Sequence, residues 1–204
     1  MFSIIRLVIG GAFYGCSIVG INKLKVGSKR VLYIVFALIT VALIGLLAFL
    51  PFENLFITFD SPEKSYEYYN LGKSDVSLVV EGDNCDFVVE QDGGSKSYLI
   101  IPKTDEGWKL GIGINTKRIA QKIDNGVAVY VYRYKQTNDY FITVFDTNGG
   151  ESTVKDNYNS EFLSLEKYDE TVEKKFVTYY AHVSNPDSQY SVTVNGNEIE
   201  LEIG

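Results

Sequence analysis

Sulfur and imidazole are scarce in this chain, and acid is missing from residues 1–52. The 204 residues include two cysteines, Cys16 and Cys85, and one histidine, His182. Two cysteines cannot build the disulfide scaffold of a small secreted domain. Nor can they pair with each other if a membrane span separates them. No H-E-x-x-H, G-x-S-x-G, C-x-x-C or phosphate-loop motif occurs. His182 alternates with Tyr180 and Thr178 on an expected strand, where a lone histidine reads as a surface or satisfied residue. Cys85 lies between Asp83 and Asp86, whose charges disfavour a thiolate and make it a poor nucleophile. The chain is therefore expected to be no enzyme and to need no cofactor or metal.

A long uncharged run is present. Val31–Leu50 is twenty residues without charge or proline. At about 1.5 Å per residue it spans roughly 30 Å, the thickness of a bilayer's hydrocarbon core. Residues 2–21 are also mostly apolar, but they carry Arg6 and are rich in glycine. Gly11 and Gly15 form a G-x-x-x-G, and Ala37, Thr40, Gly45 and Ala48 recur on the second segment at three- to five-residue intervals. These small residues are expected to let helices 2–21 and 31–50 pack as a hairpin across the bilayer. The alternative for 2–21 is an interfacial or signal-like segment. Tyr14-Gly15-Cys16 faintly resembles a lipoprotein cleavage box, but with a bulky residue where a small one is usual. A cleaved signal at 23–50 fits poorly, because its apolar run is long and no A-x-A site follows.

Charge orients the hairpin. The connector 22–30 carries four basic residues, which the positive-inside tendency places in the cytoplasm. All 26 acidic residues follow residue 52, with fourteen basic ones, for a net charge of −12. The domain after the anchor is thus expected outside the cytoplasm. Its acidity argues against nucleic acid as a partner.

Residues 53–71 read as a tether followed by a short helix over 62–70. Ser61 is its N-cap, Pro62 its first position and Gly72 its stop. Tyr66 and Tyr69 share one face, expected against a sheet edge. From 72 to 204 the pattern is alternation broken by turn residues, the mark of an antiparallel β-sandwich or meander. Lys117–Ile123 is ambiguous between strand and short helix. Thr147–Gly150 and Asn195-Gly196 read as hairpin turns. Three blocks (Val88, Tyr98, Gly107; Tyr130, Tyr140, Gly149; Tyr180, Tyr190, Gly196) suggest a weak repeat.

Two constellations stand out. Asp146-Thr-Asn148-Gly-Gly-Glu151 has oxygen ligands at a turn, a weak Ca²⁺ pattern that a plain turn explains equally. Tyr130, Tyr132 and Tyr134 lie on one face of one strand, a candidate stacking platform for a glycan or peptide. The composition, rich in Lys, Asn, Ile and Tyr, fits a bacterial surface protein. The reading is a membrane-anchored, mainly β chain: a transmembrane helical hairpin, one short helix and an antiparallel β domain acting as a binding module. Its expected partners are the lipid bilayer and an envelope protein or glycan. The alternatives are a structural subunit docking through the glycine-rich helix, or an acid/base hydrolase.

Overall fold

Uninterrupted apolar residues with strong helix formers give helices at the N-terminal end. The computed structural model describes residues 4–24, 29–49, 51–70, 72, 75–92, 95–111 and 115–203. Helix α1 covers Ile4–Lys23 and α2 covers Lys29–Phe49. Gly10 meets Ile44, Phe13 meets Phe36, and the Tyr33 hydroxyl donates to Asn22 Oδ1 at 2.7 Å, so the helices run antiparallel. Lys29–Leu47, with mean hydropathy 2.5, is the one described helix long and apolar enough to cross a membrane. The apolar part of α1, Leu7–Lys23, is shorter.

The helices approach closely at a glycine other than the expected pair. A Cβ at Gly10 would lie 2.5 Å from Ile44 Cγ1, so any larger residue there requires the Ile44 side chain or the helices to shift. The covered positions of α1 are Gly10, Tyr14, Ser17, Ile18 and Ile21, a stripe at helical spacing. Gly11 and Gly15 fall off that stripe, are exposed, and would meet nothing within 4 Å if given a Cβ. On α2, Ala37 and Thr40 lie on the covered side, whereas a Cβ on Gly45 would also meet nothing. The side chains of Ala48 and Arg6 lie outside the described residues.

A 3₁₀ turn, Phe52–Leu55, follows. The tether is then pinned to the β domain. Phe59 and Trp108 exchange backbone hydrogen bonds of 2.9 and 3.0 Å, and Asn54 Oδ1 accepts from the Leu110 N–H at 2.7 Å. Helix α3, Pro62–Tyr69, starts where expected, with Ser61 accepting from the Lys64 N–H. Gly72, at φ +73, ends it.

The rest is antiparallel sheet in three layers. The outer sheet contains β1 (Val76–Val80), β2 (Cys85–Asp92), β3 (Ser95–Thr104) and β4 (Gly107–Trp108), in that order. The central sheet is ordered β5 (Thr116–Asp124), β6 (Val127–Tyr134), β7 (Asp139–Asp146), β10 (Lys174–Ser184), β9 (Leu163–Asp169). The third sheet is β12 (Asn197–Glu202), β11 (Gln189–Val194), β8 (Val154–Asp156). Strand alternation assigns each face. Val129, Val131, Ile142, Val144, Ala181 and Val183 of the central sheet pack on Tyr190, Val192, Ile199 and Leu201 of the third. The opposite face, with Tyr132, Phe141 and Tyr180, packs on Phe87, Val89 and Ile100 of the outer sheet. Each fully buried aliphatic contributes roughly 1.5–3 kcal/mol.

Several expectations change. Residues 117–123 are strand: β5 hydrogen-bonds to β6 with a bulge between Arg118 and Ala120. The turn that joins them is Asn125-Gly126, at φ +47 and +82, the positive pair a type I′ hairpin requires. Asn195-Gly196, at +50 and +87, is the expected hairpin. The Thr147–Gly150 turn is no hairpin, because the next strand, β8, pairs with β11 in the third sheet. Helix α3 lies on a sheet face rather than an edge, with Tyr66 against Val88, Leu99 and Ile101. The three blocks are not equivalent. Tyr130 and Tyr140 share the central sheet, while Tyr180 and Tyr190 fall in different sheets. The expected sandwich is thus a three-sheet stack capped by a helix.

Candidate functional site: a cleft between the outer and central sheets

Alternation sends Tyr130, Tyr132 and Tyr134 of β6, Thr143 and Phe145 of β7, and Phe176, Thr178, Tyr180 and His182 of β10 to one face of the central sheet. The outer sheet covers part of this face. Phe87 packs on Phe141 and Tyr132 with ring centroids 5.3 and 5.7 Å apart. Tyr132 and Tyr134 are consequently buried, each about 6% exposed. The three-tyrosine platform is therefore not an open surface, because sheet stacking closes over two of its members. Tyr130 alone stays half-buried at the margin.

Where coverage stops, a cleft of about 680 Å³ remains. Tyr130, Phe145, Phe176 and Tyr180 supply its aromatic lining, and Thr143 and Thr178 contribute hydroxyls between them. Lys96 and Tyr98 enter from β3, Arg118 from β5, and Lys167 and Asp169 from β9. The Arg118 guanidinium lies over the Tyr130 ring at 5.5 Å, and Lys96 Nζ lies 5.5 Å from the Phe145 centroid. Lys96 also donates to Thr178 Oγ1. Burial, then the charge of Lys167, lowers the Lys96 pKa. The Tyr98 and Tyr132 hydroxyls meet at 2.7 Å. Burial, then Tyr98, raises the Tyr132 pKa, and burial pushes Tyr180 up to about 12. Both phenols stay neutral at physiological pH and act as hydrogen-bonding groups rather than bases. Thr143 is only 8% exposed, and its hydroxyl has no hydrogen-bond partner among the described residues.

No protein-family model, curated protein or solved structure matches this chain. Function therefore has to be argued from local chemistry, and three other places bear on it.

The first is Asp139, wholly buried at the start of β7. Its Oδ1 accepts from the Asp83 N–H and from His182 Nε2, both at 2.8 Å. Its Oδ2 accepts from the Asn84 N–H at 3.0 Å and Asn84 Nδ2 at 3.1 Å. Burial opposes the charge. His182, the Asp83 N–H and Asn84 outweigh it and hold the carboxyl down at about 2. Asp83, Asp139 and His182 present ligand atoms within 4.8 Å of one another. However, the carboxylate's lone pairs are already engaged by protein donors, and Ser184 Oγ donates to Asp83 Oδ2 at 2.8 Å. The arrangement fits a latch between outer and central sheets better than a metal centre. The Cys85 thiol beside it is fully buried, and burial followed by Asp139 raises its pKa. Burial is the main obstacle to a thiolate here, and the carboxylates that add to it are Asp139, distant in the chain, and the neighbouring Asp86.

The second is the Asp146–Glu151 turn. Asp146 Oδ1 accepts from the Asn148 N–H and Oδ2 from Ser152 Oγ, each at 2.8 Å, while Glu151 pairs with Lys175 at 3.2 Å. The oxygens serve the turn. The third is a groove of about 700 Å³ beside β5, β11 and β12 with Glu198, Glu200 and Glu202 on its wall. All three glutamates are exposed, so the groove offers no buried acid of the kind that a hydrolase tunes.

Sequence reasoning found Tyr130 but missed Lys96, Arg118 and Lys167. Alternation within β9 (Leu163, Leu165, Lys167, Asp169) signalled that Lys167 shares a face with core residues. Nothing local linked Asp139 to His182, which are paired across two strands.

Proposed function

We propose that this chain is a membrane-tethered binding module, with the β domain displayed on the extracytoplasmic side and the cleft as its recognition site. The observation that carries the anchoring is the uncovered apolar surface of α2. Val31, Ile34, Leu38, Val41 and Leu46 each expose more than half of their surface, and only 6% of the spanning window is buried. Hydrocarbon is the medium that satisfies such a surface. With α1 packed antiparallel, the hairpin puts the basic connector on one side and the acidic domain on the other. The positive-inside tendency makes the connector side cytoplasmic. A non-catalytic role is supported by the neutral phenols of the cleft and the inert Cys85.

The test is an alkaline phosphatase fused after residue 204 of the full chain in a bacterial host, with alkaline extraction of membranes. Phosphatase activity and retention in the membrane pellet are expected. An inactive fusion, or release by alkali, removes the proposal. Docking of the hairpin onto another membrane helix is a second reading, favoured by the open space beside Gly11 and Gly15. Cross-linking within membranes that is unchanged by Gly11→Leu and Gly15→Leu would exclude it.

A further inference from the structure

We infer that the cleft takes a small ligand combining a flat apolar face with one anionic group, the ring against Tyr130, Phe145 and Phe176 and the anion against Lys96, Arg118 and Lys167. This rests on the binding-module reading and names its ligand class. Charge is the first argument. The chain beyond residue 52 is net −12, yet three cations converge on one cleft with a single carboxylate, Asp169. Asp169 Oδ1 already accepts from the Thr171 N–H at 2.9 Å. Among the described residues, none of the three cations forms an ion pair. The Lys96 ammonium rests on neutral partners, a ring and a hydroxyl, and its partial burial beside Lys167 is a cost that a bound anion would offset.

The lining supplies the second argument. Phe145 and Phe176, 6.0 Å apart, and Tyr130 keep part of their surface exposed, although they lie on a face where Tyr132, Tyr134, Phe141 and Tyr180 are buried. Flat apolar surfaces are what such rings stack on. Thr143 is an independent pointer to a ligand, because a buried hydroxyl without a partner is uncommon and this one belongs to the cleft wall. Size agrees, since the volume falls within the usual range of small-molecule sites, about 300–1,000 Å³. An inorganic anion alone would leave Phe176 and the open parts of Tyr130 and Phe145 uncovered. A neutral ring alone would leave Lys96 and Arg118, which rest on rings, without a counter-charge.

An aryl carboxylate and an acidic sugar share this chemistry, so the test carries both. Ligand-observed NMR is recorded on the full chain in nanodiscs, corrected for empty nanodiscs. The probes are 2-naphthoate with its neutral 2-naphthamide, and methyl β-glucuronide with its neutral methyl β-glucoside. One anion is expected to bind with a Kd below about 1 mM, its neutral counterpart being at least about tenfold weaker. The pair that responds identifies the source. Arg118→Gln and Lys167→Gln should each weaken binding several-fold, and Lys155→Gln, exposed on the third sheet, should not. Failure of both anions to bind overturns the inference, as does wild-type affinity in both cleft variants. Equal binding of a neutral counterpart overturns the anion while leaving a binding module standing. Topology is scored separately by the phosphatase fusion.

Discussion

Replacing Asp139 by asparagine should loosen the outer sheet from the central one, by an amount that depends on pH. The carboxyl ordinarily titrates at 3.8 and is held at about 2 in the fold. At about 1.4 kcal/mol per unit, that difference is worth roughly 2 kcal/mol. Because the folded value is depressed, this stability is fully present above 3.8 and is lost as pH falls through 2. Asparagine also turns an N–H toward one pair of donors, either Asp83 N–H with His182 or the Asn84 amides. At least one partly buried donor then lacks an acceptor, at the lower end of about 1–3 kcal/mol. The two effects overlap, so Asp139→Asn should cost about 2–4 kcal/mol at pH 7 and distinctly less near pH 2.5. For a domain of this size the pH 7 loss corresponds to a Tm lower by roughly 5–15 °C. The single tryptophan is a convenient probe. Trp108 lies on β4 of the outer sheet and donates from Nε1 to Asp86 Oδ2 at 2.5 Å. Its fluorescence during urea and thermal unfolding of the detergent-solubilised chain gives both numbers. An unchanged Tm at pH 7 would refute the latch, and a difference constant from pH 7 to 2.5 would refute the charge assignment.

Other expectations follow from single contacts. Gly10→Leu should force α1 and α2 apart, because a Cβ there would sit 2.5 Å from Ile44, and lower the yield of monodisperse protein in size-exclusion chromatography. Gly11→Leu, which opens onto empty space, should leave that yield unchanged. Cys85 should resist iodoacetamide at pH 8 until the domain is unfolded in urea, as followed by mass spectrometry, because it is 0% exposed and its thiol is hard to ionise. Thr143→Val removes a buried hydroxyl without a partner, so it should hold or raise the free protein's stability by up to about 1 kcal/mol in urea unfolding. Tyr190→Phe should cost about 1–2 kcal/mol in the same assay, since its hydroxyl donates to the buried Asp156 Oδ2 at 2.8 Å.

Much of the local structure was legible because it has local causes. The Ser61-Pro62 start of α3, the strand at Val127–Tyr134 and the Asn195-Gly196 hairpin each follow from a cap, an alternation or a positive φ. The misses have non-local causes. Lys117–Ile123 mixes periodicities, and pairing with β6 decides it. Gly149-Gly150 carries a hairpin signal, but the chain leaves for another sheet, and no residue near the turn specifies that destination. The Gly11–Gly15 spacing names a surface on which helices can meet, while the mutual fit of two helices selects Gly10.

The candidate site divides along the same line. Composition and charge order, acid-free through residue 52 and net −12 beyond it, are properties of the sequence alone, as is the length of the apolar run. They set the expectation of an anchor and its orientation without any knowledge of packing. Alternation likewise determined that Tyr130, Tyr132 and Tyr134 share a face. Which of the three remains accessible was decided only when the outer sheet stacked on the central one and stopped short of Tyr130. That same limit of coverage brings Lys96, Arg118 and Lys167, from three different strands, to one cleft. Burial and charge convergence depend on which sheets stack and how far they overlap, and those are relations between residues distant in the chain.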